Sequence, residues 1–271
     1  MLLMPAPVRS WLALLAPGGL CQVCRAWQHQ PVCVDCRARF GVARLRCGRC
    51  ALGLPPGARL HTQSYVQSHP QQPHARAASP VLLCADCRRE PPPQATTVAA
   101  FDYVYPWAEL LVRLKFQDAV ELVPPLAQAL AQAVALHRTL GPQLPAVDLV
   151  LPVPLALGRM RERGYNQAWE LARRVARLHH LPAHADLLER LRETPHQLDL
   201  PRSARSANVR AAFVLAPTAA GRLGGRHVAL VDDVMTTGAT LAEATRTLLR
   251  GGAVSVQCWV VARTPREGDP A

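Results

Sequence analysis

The sequence predicts an α/β chain, with a parallel sheet that delivers a loop suited to phosphate and a small cysteine-rich metal domain ahead of it. Three observations predict this. After residue 95, apolar runs of strand length alternate with amphipathic stretches of helix length, the pattern of a parallel sheet with helical crossovers. Before that point lie four Cys-x-x-Cys pairs, which take eight of the nine cysteines. One run, 228–240, passes from an apolar strand through two adjacent acids to a Thr/Gly turn and a helix start.

Bulk composition bounds the reading. A length of 271 residues suits one medium domain plus a small one. Hydrophobic content of 49% permits a sizeable core, while 25 prolines point to long connections. The formal charge is +12. Eight thiolates around two divalent cations would lower it by four, which leaves a basic chain suited to phosphorylated ligands or nucleic acid. A genome that uses arginine freely explains the same excess, since Lys115 is the only lysine. No stretch reaches the ~20 apolar residues of a membrane span. Met1–Leu20 is apolar but broken by Pro5, Pro7 and Pro17, and its Trp11–Ala16 core is shorter than a signal-peptide core of ~7–15 residues. It reads as a short helix or lead-in packed on the metal domain. The expected location is cytoplasmic, where paired cysteines favour metal over disulfides.

The elements follow in order. Residues 21–95 form the metal domain. Within them 60–80 reads as an exposed insertion rich in Gln, Ser, His and Pro. Pro91–Pro93 makes a stiff boundary. Thr96–Tyr105 is a strand or hairpin, and Trp107–Phe116 is a helix with Leu110, Leu111 and Leu114 on one face. Leu122–Leu140 is a longer helix stopped by Gly141-Pro142. Val147–Leu151 is a buried strand, Asn166–Leu178 a helix, and His227–Val231 a second buried strand. Thr240–Arg250 is a helix opened by a Thr240-x-x-Glu243 capping box and closed by Gly251-Gly252. Ala253–Ala262 is the last strand, so this second domain spans 96–265, with a disordered tail over 266–271.

The cysteine pairs are Cys21/Cys24, Cys33/Cys36, Cys47/Cys50 and Cys84/Cys87. Each spacing lets two thiolates converge on one tetrahedral ion, so eight ligands make two structural zinc sites. The favoured pairing is sequential, 21/24 with 33/36 and 47/50 with 84/87; the alternative interleaves them. A redox role and a single occupied site are competing readings. Sites of four cysteines leave no position for water, so zinc catalysis is not expected. Cys258 reads as a core thiol, and His61, His69 and His74 as surface residues of the insertion.

The run Val228–Thr240 carries the most chemistry. A strand brings Asp232 and Asp233 to its carboxyl end, where open α/β sheets bind ligands. The turn that follows offers backbone N–H groups and a helix dipole to an anion. Thr236, Thr237 and Thr240 add hydroxyls, and Gly238 permits close backbone approach. Carboxylates would repel a phosphate beside them, so they suit sugar hydroxyls one ribose away. This order resembles the signature of type I phosphoribosyltransferases that binds phosphoribosyl pyrophosphate (PRPP). The candidate ligand loop is Asp232, Asp233, Val234, Met235, Thr236, Thr237, Gly238, Ala239 and Thr240. A capped β–loop–α turn explains Gly238 and Thr240 but not the paired acids.

Two further stretches complete the candidate site. Pro152, Val153 and Pro154 lead into a loop with Arg159, Arg161 and Arg163, cations suited to a pyrophosphate, and then Tyr165, Asn166 and Gln167. A solvated basic loop is the plainer alternative. Arg192 to Ala212, with Arg192, Gln197, Arg202, Arg205 and Asn208, is polar and non-periodic. It suits a lid that excludes water from a reactive centre, with an ordinary surface excursion as its alternative.

Several motifs then coincide: the Cys-x-x-Cys series, Lys115-Phe116 after a leucine-rich helix, Pro152-Val153-Pro154, Arg163-Gly164-Tyr165-Asn166-Gln167, Arg192…Gln197…Arg205-x-x-Asn208, and the Asp232-Asp233 loop. Together they resemble the ComF (competence protein F) family over nearly the whole chain. The resemblance implies a double zinc ribbon joined to a type I phosphoribosyltransferase fold, PRPP bound with Mg²⁺, and a role in natural transformation. That role is the handling of incoming single-stranded DNA at the inner face of the membrane, with an uptake helicase or channel as a further partner. The insertion over 60–80 departs from the family pattern. Three functions stay open: a phosphoribosyl transferase with an unidentified acceptor, a non-catalytic PRPP or nucleotide sensor that binds DNA, and an adaptor docked through its ribbons. No general base for an amine acceptor is evident. Trp27 and Tyr65 are candidate stacking residues for a strand, although aromatic content is only 5%.

Overall fold

The computed structural model describes residues 18–55, 57–58, 60–62, 80–141, 144–191 and 212–266. Outside them lie 1–17 of the expected N-terminal helix, most of the insertion with Tyr65, His69 and His74, the expected lid with Arg192, Gln197 and Arg205, and the tail from 267.

The cysteine-rich part is built twice on one plan. In the first copy β1 (Gly19–Leu20) pairs antiparallel with β2 (Trp27–Gln28) around Cys21 and Cys24. Gly19–Leu20, expected at the end of a helix, is therefore extended, because it is the ladder partner of the knuckle's return strand. Cys33 then caps α1 (Val34–Phe40). In the second copy Cys47 and Cys50 form the knuckle. β3 (Leu60–Thr62) pairs antiparallel with β4 (Pro80–Leu82), and Cys84 opens α2 (Ala85–Arg89). The residue after each knuckle is left-handed, Arg25 at φ 64° and Ala51 at φ 55°. That conformation lets Arg25 N–H and Ala51 N–H return to the carbonyls of Cys21 (3.0 Å) and Cys47 (2.8 Å).

The rest of the chain is a layered α/β domain. Its strands are β5 (Thr96–Asp102), β6 (Leu149–Pro152), β9 (His227–Met235) and β10 (Ser255–Arg263). They form one parallel sheet in the order β5-β10-β9-β6. Every residue of β10 is buried, as expected of a central strand covered on both faces, so it shows no polar alternation. The helices are α3 (Trp107–Phe116), α4 (Val123–Leu140), α5 (Leu157–Arg163), α6 (Gln167–Leu178) and α7 (Ala239–Arg250). Helices α4 and α6 cover one face, where Leu126, Leu130, Leu171 and Val175 meet Val231, Trp259 and Val261. Helix α7 covers the other through Leu241, Ala244 and Leu248, beside a hairpin of β7 (Leu188–Arg190) and β8 (Phe213–Leu215).

Three details correct the sequence reading. Arg159, Arg161 and Arg163 lie on α5, not on a loop; the helix ends at Gly164 in the left-handed region (φ 74°) that glycine favours. Strand β9 runs on through Asp232 and Asp233 to Met235, so the acids belong to the strand itself. The capping box is not formed. Helix α7 starts one residue earlier, capped by Gly238 at φ 85° without a side-chain bond, and Glu243 pairs with Arg246 instead. Gly238 closes the turn with its own backbone, leaving Thr240 inside the first turn.

Candidate functional site

The carboxyl ends of β9 and β6 open onto a cavity of about 640 Å³. All nine residues from Asp232 to Thr240 line it, with Val153, Arg159, Arg163 and Gln167 from the second predicted stretch. Parallel strands end together on this side, so their loops converge here. Asp233 is only 2% exposed, and its Oδ2 is buried without a hydrogen-bond partner. Its Oδ1 meets Lys115 Nζ at 3.1 Å. Asp232 accepts the Asp233 N–H at 2.9 Å. Burial, reinforced by the Asp233 charge, pushes the Asp232 carboxyl up to about 7. Burial alone would pull Lys115 down, but Asp233 and Asp232 outweigh it, so the ammonium is held more firmly than an ordinary lysine.

Next to the acids the turn is drawn tight. A Cβ on Gly238 would stand 2.4 Å from Met235 Cε, and the φ of 85° is itself a glycine conformation. The turn ends at the N-terminus of α7, twelve residues long, whose first N–H groups have no intrahelical partner.

The second stretch divides by role. On α5, Arg159 and Arg163 are four residues apart and share the face that lines the cavity, whereas Arg161, between them, is not in its lining. Arg159 pairs with Glu162 at 2.9 Å. Arg163 donates to Gln167 Oε1 and stacks 5.4 Å from the centroid of Phe116. Three predicted residues are framework rather than lining. Tyr165 donates its hydroxyl proton to the Leu114 carbonyl. Asn166 caps α6 by accepting from the N–H groups of Ala168 (2.9 Å) and Trp169 (3.4 Å), and donates to the Val153 carbonyl at 3.1 Å. Pro152 is buried at the end of β6. The Gly-Tyr-Asn run thus ties α6 and α3 to the loop that walls the cavity.

Sequence reasoning passed over four polar lining residues as site candidates: Tyr103, Lys115, Glu162 and Arg190. The signal for Lys115 was its being the chain's only lysine. Arg190, on β7, stacks 5.5 Å from the Phe213 ring, and nothing local in the sequence marked it.

The two cysteine groups pair sequentially. Cys21, Cys24, Cys33 and Cys36 form one cluster, and Cys47, Cys50, Cys84 and Cys87 the other, with all sulfurs of a cluster within 4.8 Å of one another. Cys24 and Cys33 stand 3.7 Å apart, Cys21 and Cys36 3.9 Å, and Cys50 and Cys84 3.7 Å. A tetrahedron with metal–sulfur bonds of about 2.3 Å has edges of about 3.8 Å, so the donor sets fit zinc. Backbone N–H groups of Val23 and Cys33 (both 3.4 Å) point at Cys21 Sγ. Burial opposes ionisation of Cys21, but these groups and the Cys24 N–H prevail and hold the thiol at about 6. Cys258 is a fully buried core thiol.

A doubly covered parallel sheet, paired acids at a strand end and a Thr/Gly turn before a helix define a class of α/β domain that holds a sugar phosphate. The chain matches the phosphoribosyl transferase domain over residues 111–271. It is 34% identical over 256 residues to the DNA utilization protein YhgH of Escherichia coli K12, covering 93% of this chain and all of that protein. It is 32% identical over 234 residues to competence protein F of Haemophilus influenzae, covering 85% and 96%. The chain belongs to this ComF/YhgH family and carries its phosphoribosyl transferase domain. Among solved structures, a B. subtilis glutamine PRPP amidotransferase complexed with ADP and GMP superposes with a TM-score of 0.32 at 20% identity, over 50% of this chain and 25% of that one. That superposition is loose and adds nothing to the assignment.

Proposed function

We propose that this protein holds PRPP in the cavity and uses it in the handling of single-stranded DNA during uptake or utilization. The observation that carries the reading is the buried, unpartnered Asp233 Oδ2 on the wall that also presents the Thr236–Thr240 turn. A buried carboxylate oxygen without a donor costs about 1–3 kcal/mol, and a ligand hydroxyl would supply the donor. Asp232 and Asp233 accept from the ribose hydroxyls, and the N–H groups and hydroxyls of residues 236–240 hold the 5-phosphate. Lys115, Arg163 and Arg190 face the pyrophosphate end. Mg²⁺, when bound with PRPP, neutralises part of the pyrophosphate charge. The two cysteine clusters hold structural zinc.

Transfer of the sugar would form a bond from the acceptor's nucleophilic atom to the anomeric carbon, break the bond from that carbon to the pyrophosphate oxygen and release the acceptor's proton; cations on the departing oxygen favour its departure. The names of the relatives support the DNA context. A net charge of +12 and Trp27, 71% exposed beside the first cysteine knuckle, are compatible with a strand partner. Among the described residues no helix is long and apolar enough to cross a membrane; the peripheral place proposed at the inner face of the membrane, beside an uptake helicase or channel, has only the family resemblance to support it.

Calorimetric titration with PRPP and Mg²⁺ tests the holding function. Wild-type protein saturates, and Asp233→Asn binds about 10- to 100-fold more weakly, the loss expected for charged hydrogen bonds. A titration without heat or saturation rejects the reading. Pyrophosphate release with candidate acceptors and with single-stranded DNA then separates a transferase from a sensor.

A further inference from the structure

We propose that Arg263 is a positioning residue that transmits the geometry of the second cysteine cluster to the ligand loop. The proposal rests on the reading of 232–240 as the PRPP loop, but its test does not require PRPP to bind.

Arg263 is the last residue of β10 and only 5% exposed. In the sheet it stands opposite Met235 of β9 on one side and Asp102 of β5 on the other. Its guanidinium points two ways. Nε donates to the carbonyl of Cys50, a member of the second cluster, at 2.9 Å. A terminal nitrogen donates to the carbonyls of Met235 (3.1 Å), Thr236 and Thr264 (2.7 Å). One rigid planar group therefore joins the backbone of a cysteine knuckle to the last residue of β9 and the first residue of the turn. A guanidinium fork suits this task, because it presents donors in fixed directions that an ammonium lacks.

The knuckle end of this link is itself fastened to the sheet. Thr96 Oγ1 donates to the Gly48 carbonyl at 2.6 Å and Thr97 Oγ1 to the Arg49 carbonyl at 2.7 Å. Arg46 reaches both the Ala51 carbonyl (3.1 Å) and Asp102 (2.7 Å), and Arg44 pairs with Asp102 at 3.1 Å. The loop end is equally constrained, since Thr264 N–H donates to the Met235 carbonyl at 3.0 Å and Met235 packs under Gly238. With both ends fixed, displacement of the Cys50 carbonyl pulls Arg263 away from the carbonyls of Met235 and Thr236. The bonds described for the first cluster run elsewhere, to α3 and α4: Arg113 to Gln22, Trp107 Nε1 to the Phe40 carbonyl, and Arg37 to Gln128. The second metal site thus acts on the ligand loop as well as on the fold.

The test uses the full chain with its zinc, comparing wild type, Arg263→Gln and Arg263→Lys. Zinc content, amide hydrogen exchange across 235–240 and across α6, and PRPP binding are measured. The expected result is two zinc ions per chain in all three proteins and about tenfold faster exchange in the loop of both variants. Exchange in α6 stays unchanged, and PRPP binds about tenfold more weakly. Lysine fails although it keeps the charge, because it cannot span both carbonyl groups. Loop exchange at the wild-type rate in Arg263→Gln overturns the proposal, as does Arg263→Lys behaving as wild type, which would make Arg263 a simple cation near an anion. Should the loop open in the variants while wild-type protein binds no PRPP, the coupling stands and the PRPP reading falls.

Discussion

At the residue scale the site is a balance of like charges. Asp232 and Asp233 are neighbours on one strand, and Lys115 meets only one of them directly. The unfolded chain releases the Asp232 proton near its ordinary 3.8, whereas the folded protein keeps it to about 7. Between these values the folded state binds the extra proton, so this group's contribution to stability falls as pH rises from about 4 to about 7, and the full cost is present above 7. Asp232→Asn removes the cost. With allowance for the water that reaches the side chain, the gain is on the order of 1 kcal/mol, or about 2–4 °C in unfolding temperature at pH 8, and no gain at pH 4. Thermal melts across this range check it, and an equal shift at both ends would show that Asp232 is not strained. A stabilising substitution at a binding residue is the mark of a site that is held ready for a ligand at the expense of the fold.

At the scale of elements, much of the order was legible. Trp107–Phe116 forms the helix its leucine spacing predicts, and Gly141 ends α4 as expected. The central strands read as plain apolar runs because both faces are covered. Helix α5 was hidden because seven residues with three arginines and no buried position carry no apolar period. Strands β7 and β8 were hidden because three-residue strands pair through backbone, with little pattern to display. Asn166, a site candidate in the sequence, caps α6 and ties it to the loop after β6. Asn166→Ala should therefore cost about 1–2 kcal/mol of stability, the usual price of a lost cap, in chemical denaturation. An unchanged denaturation midpoint would mean that the cap and the Val153 tether contribute nothing.

At the scale of the molecule, the two cysteine units join the two separate buried clusters of the sheet domain. The first shares a buried cluster with Phe101, Trp107 and α4, and the second with Ala99, Leu151 and Val260. The sequence favoured sequential pairing without deciding it; the structure groups the cysteines that way, each knuckle joined by a Cys-x-x-Cys at a helix start. The attachment of the second unit to the ligand loop was not legible, because it runs through Arg263, 213 residues from Cys50. The two clusters should each take one zinc, giving two per chain by metal analysis. Removal of zinc by a chelator should lower the unfolding temperature, since metal that binds only the folded state stabilises it by mass action. A chain that purifies folded without zinc would remove the metal from the account.

The most direct measurement of the central claim is a crystal structure of the protein with PRPP and Mg²⁺. Ribose hydroxyls should sit on Asp232 and Asp233, with the 5-phosphate on the amides and hydroxyls of residues 236–240. Density for the ligand elsewhere, or a phosphate seated beside α5 with the Asp232–Asp233 wall untouched, would contradict it.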